Sequence, residues 1–164
     1  MSGADDDWRI GHGFDVHAFG PGDHIRLGGI SIPHHRGLIA HSDGDVVAHA
    51  LADAMLGAAG LPDIGQQFPD SDSRYHGLDG MEMLDCVRAL LLNEGLRLWH
   101  ADTTIVAQQP RLAPYLDAMR SALGKTLGIA PRPVGIKATT TERLGAIGNE
   151  QGIAVYAVVL LRPA

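Results

Sequence analysis

The sequence predicts an α+β fold in which helices pack on one face of a mixed β-sheet. The first observation behind this is the order of periodic segments, which indicates two strands, two helices, a strand, a helix and two strands, without sustained βαβ alternation. The second is composition: the 164 residues are 45% hydrophobic and 20% charged, as in a globular protein with a buried core. We expect residues 1–8 to be a flexible acidic leader and residues 9–164 to form one domain.

The first two expected strands occupy the N-terminal part of the domain. They cover residues 9–16, RIGHGFDV, and 24–33, HIRLGGISIP, with GPGD as the turn between them. Residues 36–44, RGLIAHSDG, read as a glycine-rich loop that leads into a helix.

That helix, residues 45–61, has the clearest periodicity in the chain. Its apolar side chains recur at helical spacing, and Ser42 and Asp43 ahead of it are the candidate N-caps. Residues 62–77 follow as an irregular loop rich in Asp, Gly and Pro, and loops of this length in compact domains are often functional.

The second half of the chain supplies the remaining elements. Gly95 is the expected terminator of one helix, and Pro114 lies in the first turn of the next. The expected elements are a helix over about 79–94, a strand over 97–109, a helix over 110–128, and strands over 133–141 and 153–161.

Charge and targeting signals limit the class of protein. The formal charge of −6 argues against a general nucleic-acid binder, which would carry a basic patch. The N-terminus lacks a signal-peptide layout, and no apolar run is long enough to cross a bilayer. Cys86, the single cysteine, lies in an apolar helical pattern and reads as a small core residue. We expect a soluble cytoplasmic protein without nucleic-acid or membrane partners.

Asp15 and His17 are the first candidate metal ligands. On a strand, residues two apart project from the same face, whereas His12 is out of phase with Asp15. A carboxylate and an imidazole at this spacing either bind a metal ion or form a hydrogen-bonded pair. Zinc sites commonly use three such ligands and leave a fourth position open.

The segment HSDGDVVAH contains the two histidines that have local companions. Asp45, His49 and Asp53 follow one another at intervals of four and share a helical face, which is either the source of a third ligand or a solvated surface. His41 and Ser42 lie at the helix N-terminus, where they are either additional donors to a phosphate or, for Ser42, a simple cap.

Two further segments carry candidate binding groups. Asp70 and Asp72 in FPDSD either bind substrate hydroxyls or cap a turn. In KATTTE the three threonines after Lys137 either reflect β-propensity alone or bind phosphate oxygens. If they bind phosphate, Glu142 is suited to bind a hard cation such as Mg²⁺ or Mn²⁺.

These segments together resemble the 2-C-methyl-D-erythritol 2,4-cyclodiphosphate synthases of the non-mevalonate isoprenoid pathway. The matching stretches are RIGHGFDVHAF, GLIAHSDGDVVAHALADAMLGAAGLPDIGQQFPDSD, TIVAQQPRLAP and KATTTERLG, in the order of the family and from Arg9 onward. Any one motif alone is a weak signal, but their joint occurrence is specific.

The resemblance implies a phosphorus–oxygen lyase that converts 4-diphosphocytidyl-2-C-methyl-D-erythritol 2-phosphate to the cyclic diphosphate and releases CMP. The 2-phosphate attacks the β-phosphorus intramolecularly with the assistance of metals. By motif, Asp15, His17 and His49 would bind one Zn²⁺, and Glu142 would bind Mg²⁺ or Mn²⁺ together with substrate phosphates. The residues carried over as catalytic are His41, Thr140 and Glu142.

The same resemblance implies how the substrate is divided among the motifs. His41 and Ser42 would hold the 2-phosphate, residues 63–72 would line the methylerythritol pocket, and residues 107–112 would cradle cytosine. The implied substrate-binding residues are Asp15, His17, His41, Ser42, Asp63, Ile64, Gly65, Phe68, Asp70, Asp72, Ala107, Pro110, Arg111, Leu112, Thr139, Thr140, Thr141 and Glu142.

Members of this family are homotrimers with their sheets around the threefold axis and with active sites shared between neighbouring subunits. The chain departs from the family at Ala146, where many members have Phe, and at Asn149, where many have Arg. Both positions line a cavity on the trimer axis that binds isoprenoid diphosphates or other anions in some members. Arg111 stands where Lys is frequent.

Two other functions fit the metal candidates. A zinc hydrolase of a small phosphoester would use the same three ligands and a general base, for which Asp45 is the near candidate. A metal-binding structural protein would close the site with a fourth protein ligand, and it would leave the Asp-Gly-Pro loop without a purpose.

Overall fold

The computed structural model describes residues 7–164, so most of the predicted leader lies outside the described residues. The described strands are β1 (Arg9–Gly20), β2 (His24–Leu27), β3 (Ile30–Pro33), β4 (Gly37–Leu38), β5 (Leu96–Val106), β6 (Gly135–Thr139) and β7 (Gly152–Pro163). The described α-helices are α1 (Val46–Ala59), α2 (Ile64–Gln67), α3 (Gly80–Asn93), α4 (Leu116–Thr126) and α5 (Gly145–Gly148).

Five of the strands form one mixed sheet in the order β4-β1-β7-β5-β6. Strands β5 and β6 are parallel, and the other neighbours are antiparallel. Helix α1 packs on β1 and β7, α3 on β5, and α4 on β6, all against the buried face of the sheet. The predicted α+β architecture is therefore confirmed. No helix among the described residues is long and apolar enough to cross a membrane.

The opposite face of the sheet carries exposed apolar side chains. Because side chains alternate along a strand, the residues between the buried positions of β1 and β7 project from this face. They are exposed by 40% to 75% of their surface: Ile10, Phe14, Val16, Tyr156 and Val158. A contiguous apolar patch of this kind commonly marks a protein–protein interface.

Several predicted elements are interrupted or shifted. The strand expected over 24–33 is a hairpin, because Gly28 and Gly29 turn the chain with φ of 56° and 79°. The expected loop over 36–44 contains β4, and the loop over 62–77 contains α2 and a short 3-10 turn. The helix expected to start at 110 begins at Leu116, after a 3-10 turn that contains Pro114. Cys86 is exposed on α3, so its prediction as a core residue is wrong.

Asp45 caps helix α1, in place of the predicted Ser42 or Asp43. Its carboxylate accepts hydrogen bonds from the backbone N–H of Ala48 at 3.1 Å, Gly28 at 2.8 Å and Gly29 at 2.7 Å. The residue is fully buried, and this burial raises the pKa of Asp45 against the opposing effect of the three donors. One side chain thus joins the β2–β3 hairpin to the start of α1 and fixes where the helix begins.

Two glycines of β1 let α1 lie directly on the strand. A Cβ at Gly11 would overlap the carbonyl oxygen of Ala54, and one at Gly13 would overlap that of Ala50. The helix backbone therefore touches the strand, a contact that any larger residue at positions 11 and 13 would prevent.

Candidate active site

Asp15, His17 and His49 meet where α1 crosses β1. Asp15 Oδ2 lies 2.8 Å from His17 Nε2 and 3.1 Å from His49 Nδ1, and the two imidazole nitrogens are 3.2 Å apart. Strand periodicity places the first two side chains on the buried face, and the glycine contact brings His49 to them from the helix. The three predicted metal ligands are therefore adjacent.

Outer contacts orient both imidazole rings. His17 Nδ1 is 2.9 Å from the carbonyl oxygen of Ile39, which can only accept, so this nitrogen donates. In the neutral imidazole that binds a cation, Nε2 therefore presents its lone pair to the cluster. Ser42 Oγ lies 3.2 Å from His49 Nε2, which leaves Nδ1 directed at Asp15 and His17. Contacts of this kind around a metal ligand fix its tautomer and its ring orientation.

Asp15 supplies the negative charge of the cluster. Burial alone would raise the pKa of Asp15, but hydrogen bonds and charge interactions with His17 and His49 lower it well below its usual value. Burial alone would lower the pKa of His17, whereas the hydrogen bond with Asp15 and the charge of that carboxylate raise it. Asp15 is thus held as a carboxylate at neutral pH.

The geometry fits a divalent cation bound by two nitrogens and one oxygen. Ligands of a tetrahedral zinc ion with bonds of about 2.0–2.1 Å are about 3.3 Å apart, close to the observed separations of 2.8–3.2 Å. Within the described range 7–164, Asp15, His17 and His49 form the one such group of three. A set of three agrees with an open coordination position and not with the closed four-ligand site of a structural protein.

A cavity of about 210 Å³ opens beside the cluster and contains most of the predicted pocket residues. Asp63 and Asp72 lie outside its lining: Asp63 caps α2 through Gln66, and Asp72 pairs with Arg74 at 2.6 Å. The cavity is lined by His17, Ala40, His41, Ser42, His49, Ile64, Gly65, Phe68, Asp70 and Met83. Ala40 and Met83 were not predicted, since neither carries a chemical signal.

A second cavity, of about 360 Å³, contains the other predicted binding segments. It is lined by residues 107–113, Leu116, Ala138, Thr139 and Thr140. Thr141 and Glu142 follow directly: Thr141 Oγ1 donates to the Leu144 carbonyl at 2.7 Å, and Thr140 Oγ1 donates to the Glu142 carboxylate at 3.2 Å. Glu142 and Arg143 both have left-handed backbone conformations, with φ of 52° and 63°, which is uncommon outside glycine and typical of functional loops.

The two cavities are separate within one chain. Their linings share no residue, and β1 lies three strands away from β6, at about 4.8 Å for each strand spacing. The chain therefore brings the metal ligands together with His41, Ser42 and Asp70, but it does not bring them to Thr140 and Glu142.

The remaining carboxylates of α1 have structural contacts. Asp45 faces the hairpin and is fully buried, so it is not positioned as a general base for the cavity. Asp53 accepts a hydrogen bond from the backbone N–H of Ile64 at 2.9 Å and thereby holds the loop that carries the cavity wall. The sequence also allowed the helix face of Asp45, His49 and Asp53 to be a solvated surface. That alternative is wrong, because His49 is only 6% exposed.

Comparisons with known proteins agree with this geometry. A family model described as the YgbB family matches residues 8–162. A 2-C-methyl-D-erythritol 2,4-cyclodiphosphate synthase of Pseudomonas aeruginosa (strain UCBPP-PA14) is 56% identical over 153 residues, which are 93% of this chain and 98% of the relative. A protein of the same name from Azotobacter vinelandii is 54% identical over the same shares of both chains.

Solved structures have the same fold. The bifunctional IspDF from Campylobacter jejuni is 42% identical with a TM-score of 0.91, over 96% of this chain and 43% of that one, so the chain spans less than half of that protein. IspF of Plasmodium falciparum, a CDP complex, is 30% identical with a TM-score of 0.83, over 95% of this chain and 96% of that one.

Replacing His49 by alanine tests the metal assignment. We expect His49→Ala to reduce the zinc content of the purified protein from about one ion per chain to well below about 0.5 ion per chain, since two protein ligands rarely retain zinc. His100→Ala, which removes an exposed histidine, is the matched control and should leave zinc unchanged. Metal analysis that finds equal zinc in both variants would remove His49 from the site.

Proposed function

The chain belongs to the YgbB family, and we propose that it converts 4-diphosphocytidyl-2-C-methyl-D-erythritol 2-phosphate to 2-C-methyl-D-erythritol 2,4-cyclodiphosphate with release of CMP. The observation that carries this proposal is the cluster of Asp15, His17 and His49 beside a cavity lined by His41 and Ser42. Relatives that are 54–56% identical over nearly their whole length carry the name of this synthase.

Two cations complete the proposed site. Asp15, His17 and His49 would hold Zn²⁺, and Glu142 would hold Mg²⁺ or Mn²⁺ together with substrate phosphates. Such cations neutralise the phosphate oxygens and polarise the phosphorus that is attacked, which matters because nucleophile and electrophile are both anionic.

The side chains of the proposed site bind and orient the substrate. His41 and Ser42 would donate to the 2-phosphate, and the loop from Ile64 to Asp70 would enclose the methylerythritol unit. Residues 107–112 would hold the cytosine, and the threonines of KATTTE would hold the diphosphate. Because the nucleophile is a phosphate of the substrate itself, positioning supplies most of the rate and no nucleophilic side chain is needed.

The proposed assembly is a homotrimer in which each active site combines two subunits. The two cavities lie toward opposite edges of the sheet, so one substrate spans both only if the β6 edge of one copy meets the metal cluster of the next. The exposed apolar face of β1 and β7 supplies a surface that a closed ring of sheets would bury.

The zinc hydrolase is not supported as an alternative. The relatives are named as synthases, and Asp45, its candidate base, is buried against the hairpin. We further propose that residues 9–164 act as a single catalytic domain in the cytoplasm, which the single cysteine of the sequence fits.

Phosphorus NMR tests the proposed reaction. Zinc-loaded protein with the cytidyl diphosphate substrate and Mg²⁺ should produce CMP and a cyclic diphosphate, whereas a ring-opened monophosphate would indicate hydrolysis.

Replacing Glu142 by glutamine tests the second cation site. We expect the rate of Glu142→Gln to fall about tenfold or more at low Mn²⁺ and to recover partly at high Mn²⁺, because the variant binds the cation more weakly. An unchanged rate at low Mn²⁺ would remove Glu142 from the cation site.

Mixed trimers test the shared site. His49→Ala and Glu142→Gln subunits that are unfolded together and refolded should recover activity in about a quarter of their sites, because random assortment pairs an intact His49 with an intact Glu142 at that frequency. A mixture of His49→Ala with His17→Ala is the matched control, since both defects lie in the same half-site and no recovery is expected. Activity no greater than the sum of the separate variants would contradict an interfacial site.

A further inference from the structure

The loop that leads into α1 carries groups that serve both the metal cluster and the cavity beside it. The Ile39 carbonyl and the Ser42 hydroxyl orient the two imidazole rings, and His41 and Ser42 line the cavity. Within the described range 7–164, residues 40–44 form no backbone–backbone hydrogen bond. Side chains must therefore hold this segment, which we call the entry loop, in its position.

Asp43 ties the entry loop to the start of α3. Its Oδ1 accepts a hydrogen bond from the backbone N–H of Asp45 at 3.2 Å, and its Oδ2 accepts one from the backbone N–H of Gly80 at 3.1 Å. Gly80 is the first residue of α3, and a Cβ there would lie 2.9 Å from the Cβ of Ala48. The starts of α1 and α3 are thus in direct contact, and Asp43 bridges them.

Arg26 of β2 holds the Asp43 carboxylate from a further element. Its Nε lies 3.2 Å from Asp43 Oδ2, and its Nη2 lies 3.0 Å from Asp79 Oδ2. Asp79 in turn caps α3 by accepting a hydrogen bond from the backbone N–H of Met81 at 2.8 Å. The Asp43 side chain is only 18% exposed, so solvent screens its ion pair less than it screens a surface pair. Strand, loop and helix are therefore joined at one carboxylate.

An amide cannot replace the Asp43 carboxylate. Asparagine has one oxygen and one NH₂ group, so in either orientation its NH₂ group would face a backbone N–H that then has no acceptor. The ion pair with Arg26 would be lost in both orientations, because the amide is uncharged. A donor that loses its acceptor recovers a hydrogen bond only by meeting water, which requires the entry loop to move away from its neighbours.

We propose that Asp43 is a positioning residue, which acts through the entry loop on both the metal ligands and the substrate. Held by Asp43, the loop keeps the Ser42 hydroxyl and the preceding Ile39 carbonyl against the two imidazole ligands. It also keeps His41 and Ser42 at the cavity wall, where the attacking 2-phosphate would bind, and this second role rests on the proposed function. Supporting groups must hold a reactive site to within about 0.5 Å of its productive geometry.

Zinc affinity tests the effect on the metal ligands without any substrate. In a competition titration, Asp43→Asn should bind zinc at least about threefold more weakly, because loss of the groups that orient metal ligands costs about 10–100-fold and Asp43 acts on those groups indirectly. Asp79→Asn is the matched control, since it removes the other carboxylate bound to Arg26 but leaves both backbone hydrogen bonds of Asp43 in place. Its zinc affinity should be unchanged, and equal affinities in the two variants would overturn the proposal.

A charge-preserving variant separates position from charge. Asp43→Glu retains the negative charge, but its longer side chain cannot place both oxygens on the two backbone donors. It should therefore lose zinc affinity as Asp43→Asn does, and full affinity would assign the effect to charge and overturn the proposal. If Asp43→Asn does not fold, Arg26→Met, which removes only the ion pairs, decides: a loss of at least about twofold supports the proposal, and an unchanged affinity overturns it.

Steady-state kinetics at saturating zinc tests the effect on the substrate. We expect kcat of Asp43→Asn to fall about tenfold or more and KM to change less than about threefold, because the proposed contacts to cytosine and diphosphate stay intact while the attacking phosphate is misplaced. Asp79→Asn should keep kcat within about twofold of the unchanged protein. An unchanged kcat in folded, zinc-loaded Asp43→Asn would overturn its role in the reaction. If the unchanged protein forms no cyclic diphosphate, the proposed function fails, and the zinc affinities of the same variants still decide whether Asp43 positions the entry loop.

Discussion

The direct contact between the backbones of α1 and β1 is the constraint on which the candidate active site depends. Gly11 and Gly13 leave no side chain between strand and helix, and the carbonyl oxygens of Ala50 and Ala54 occupy the space that a Cβ would need. This contact brings His49 to within 3.2 Å of the ligands on the strand. A helix displaced by one ångström would open the ligand triangle beyond the span of a zinc ion.

A second constraint fixes the position of the helix along its axis. The Asp45 carboxylate binds the start of α1 to the β2–β3 hairpin, and His49 follows about one turn later in the helix. The glycine contact and the carboxylate cap act at different points of the helix. Together they fix the distance of His49 from β1 and its rotation about the helix axis. Ser42 and Ile39 then orient the two imidazole rings from the loop that leads into the helix.

Much of the metal cluster could be predicted from the sequence because it follows from local periodicity. Alternation along a strand pairs Asp15 with His17, and helical spacing together with the family motif places His49 on a helix. The N-cap could not be chosen, since Ser42, Asp43 and Asp45 are all good caps and only the hairpin contact selects the last. The hairpin at Gly28 and Gly29 was missed although a Gly-Gly pair between two alternating runs is a hairpin signal, because residues 24–33 were read as one strand.

Features that depend on tertiary contacts had no sequence signal. The separation of the two cavities follows from the strand order β4-β1-β7-β5-β6, which no motif encodes. The contact of Arg132 and Arg162 with the Trp99 ring joins residues far apart in the chain, and no local pattern indicates it. The cap that Asp63 forms at α2 likewise depends on how the loop after α1 folds, whereas capping a turn was one of the two roles predicted for Asp72.

The zinc affinity of Gly13→Ala tests the dependence of the site on the helix–strand contact most directly. This variant keeps all three ligands, but its new methyl group must push α1 away from β1. Gly57→Ala is the matched control, because a Cβ at this position of the same helix meets nothing within 4 Å. Competition titration should show affinity weakened by at least about tenfold in folded Gly13→Ala and unchanged in Gly57→Ala, as expected when a ligand is misplaced. Equal zinc affinity in Gly13→Ala and the unchanged protein would contradict the claim that this contact builds the site.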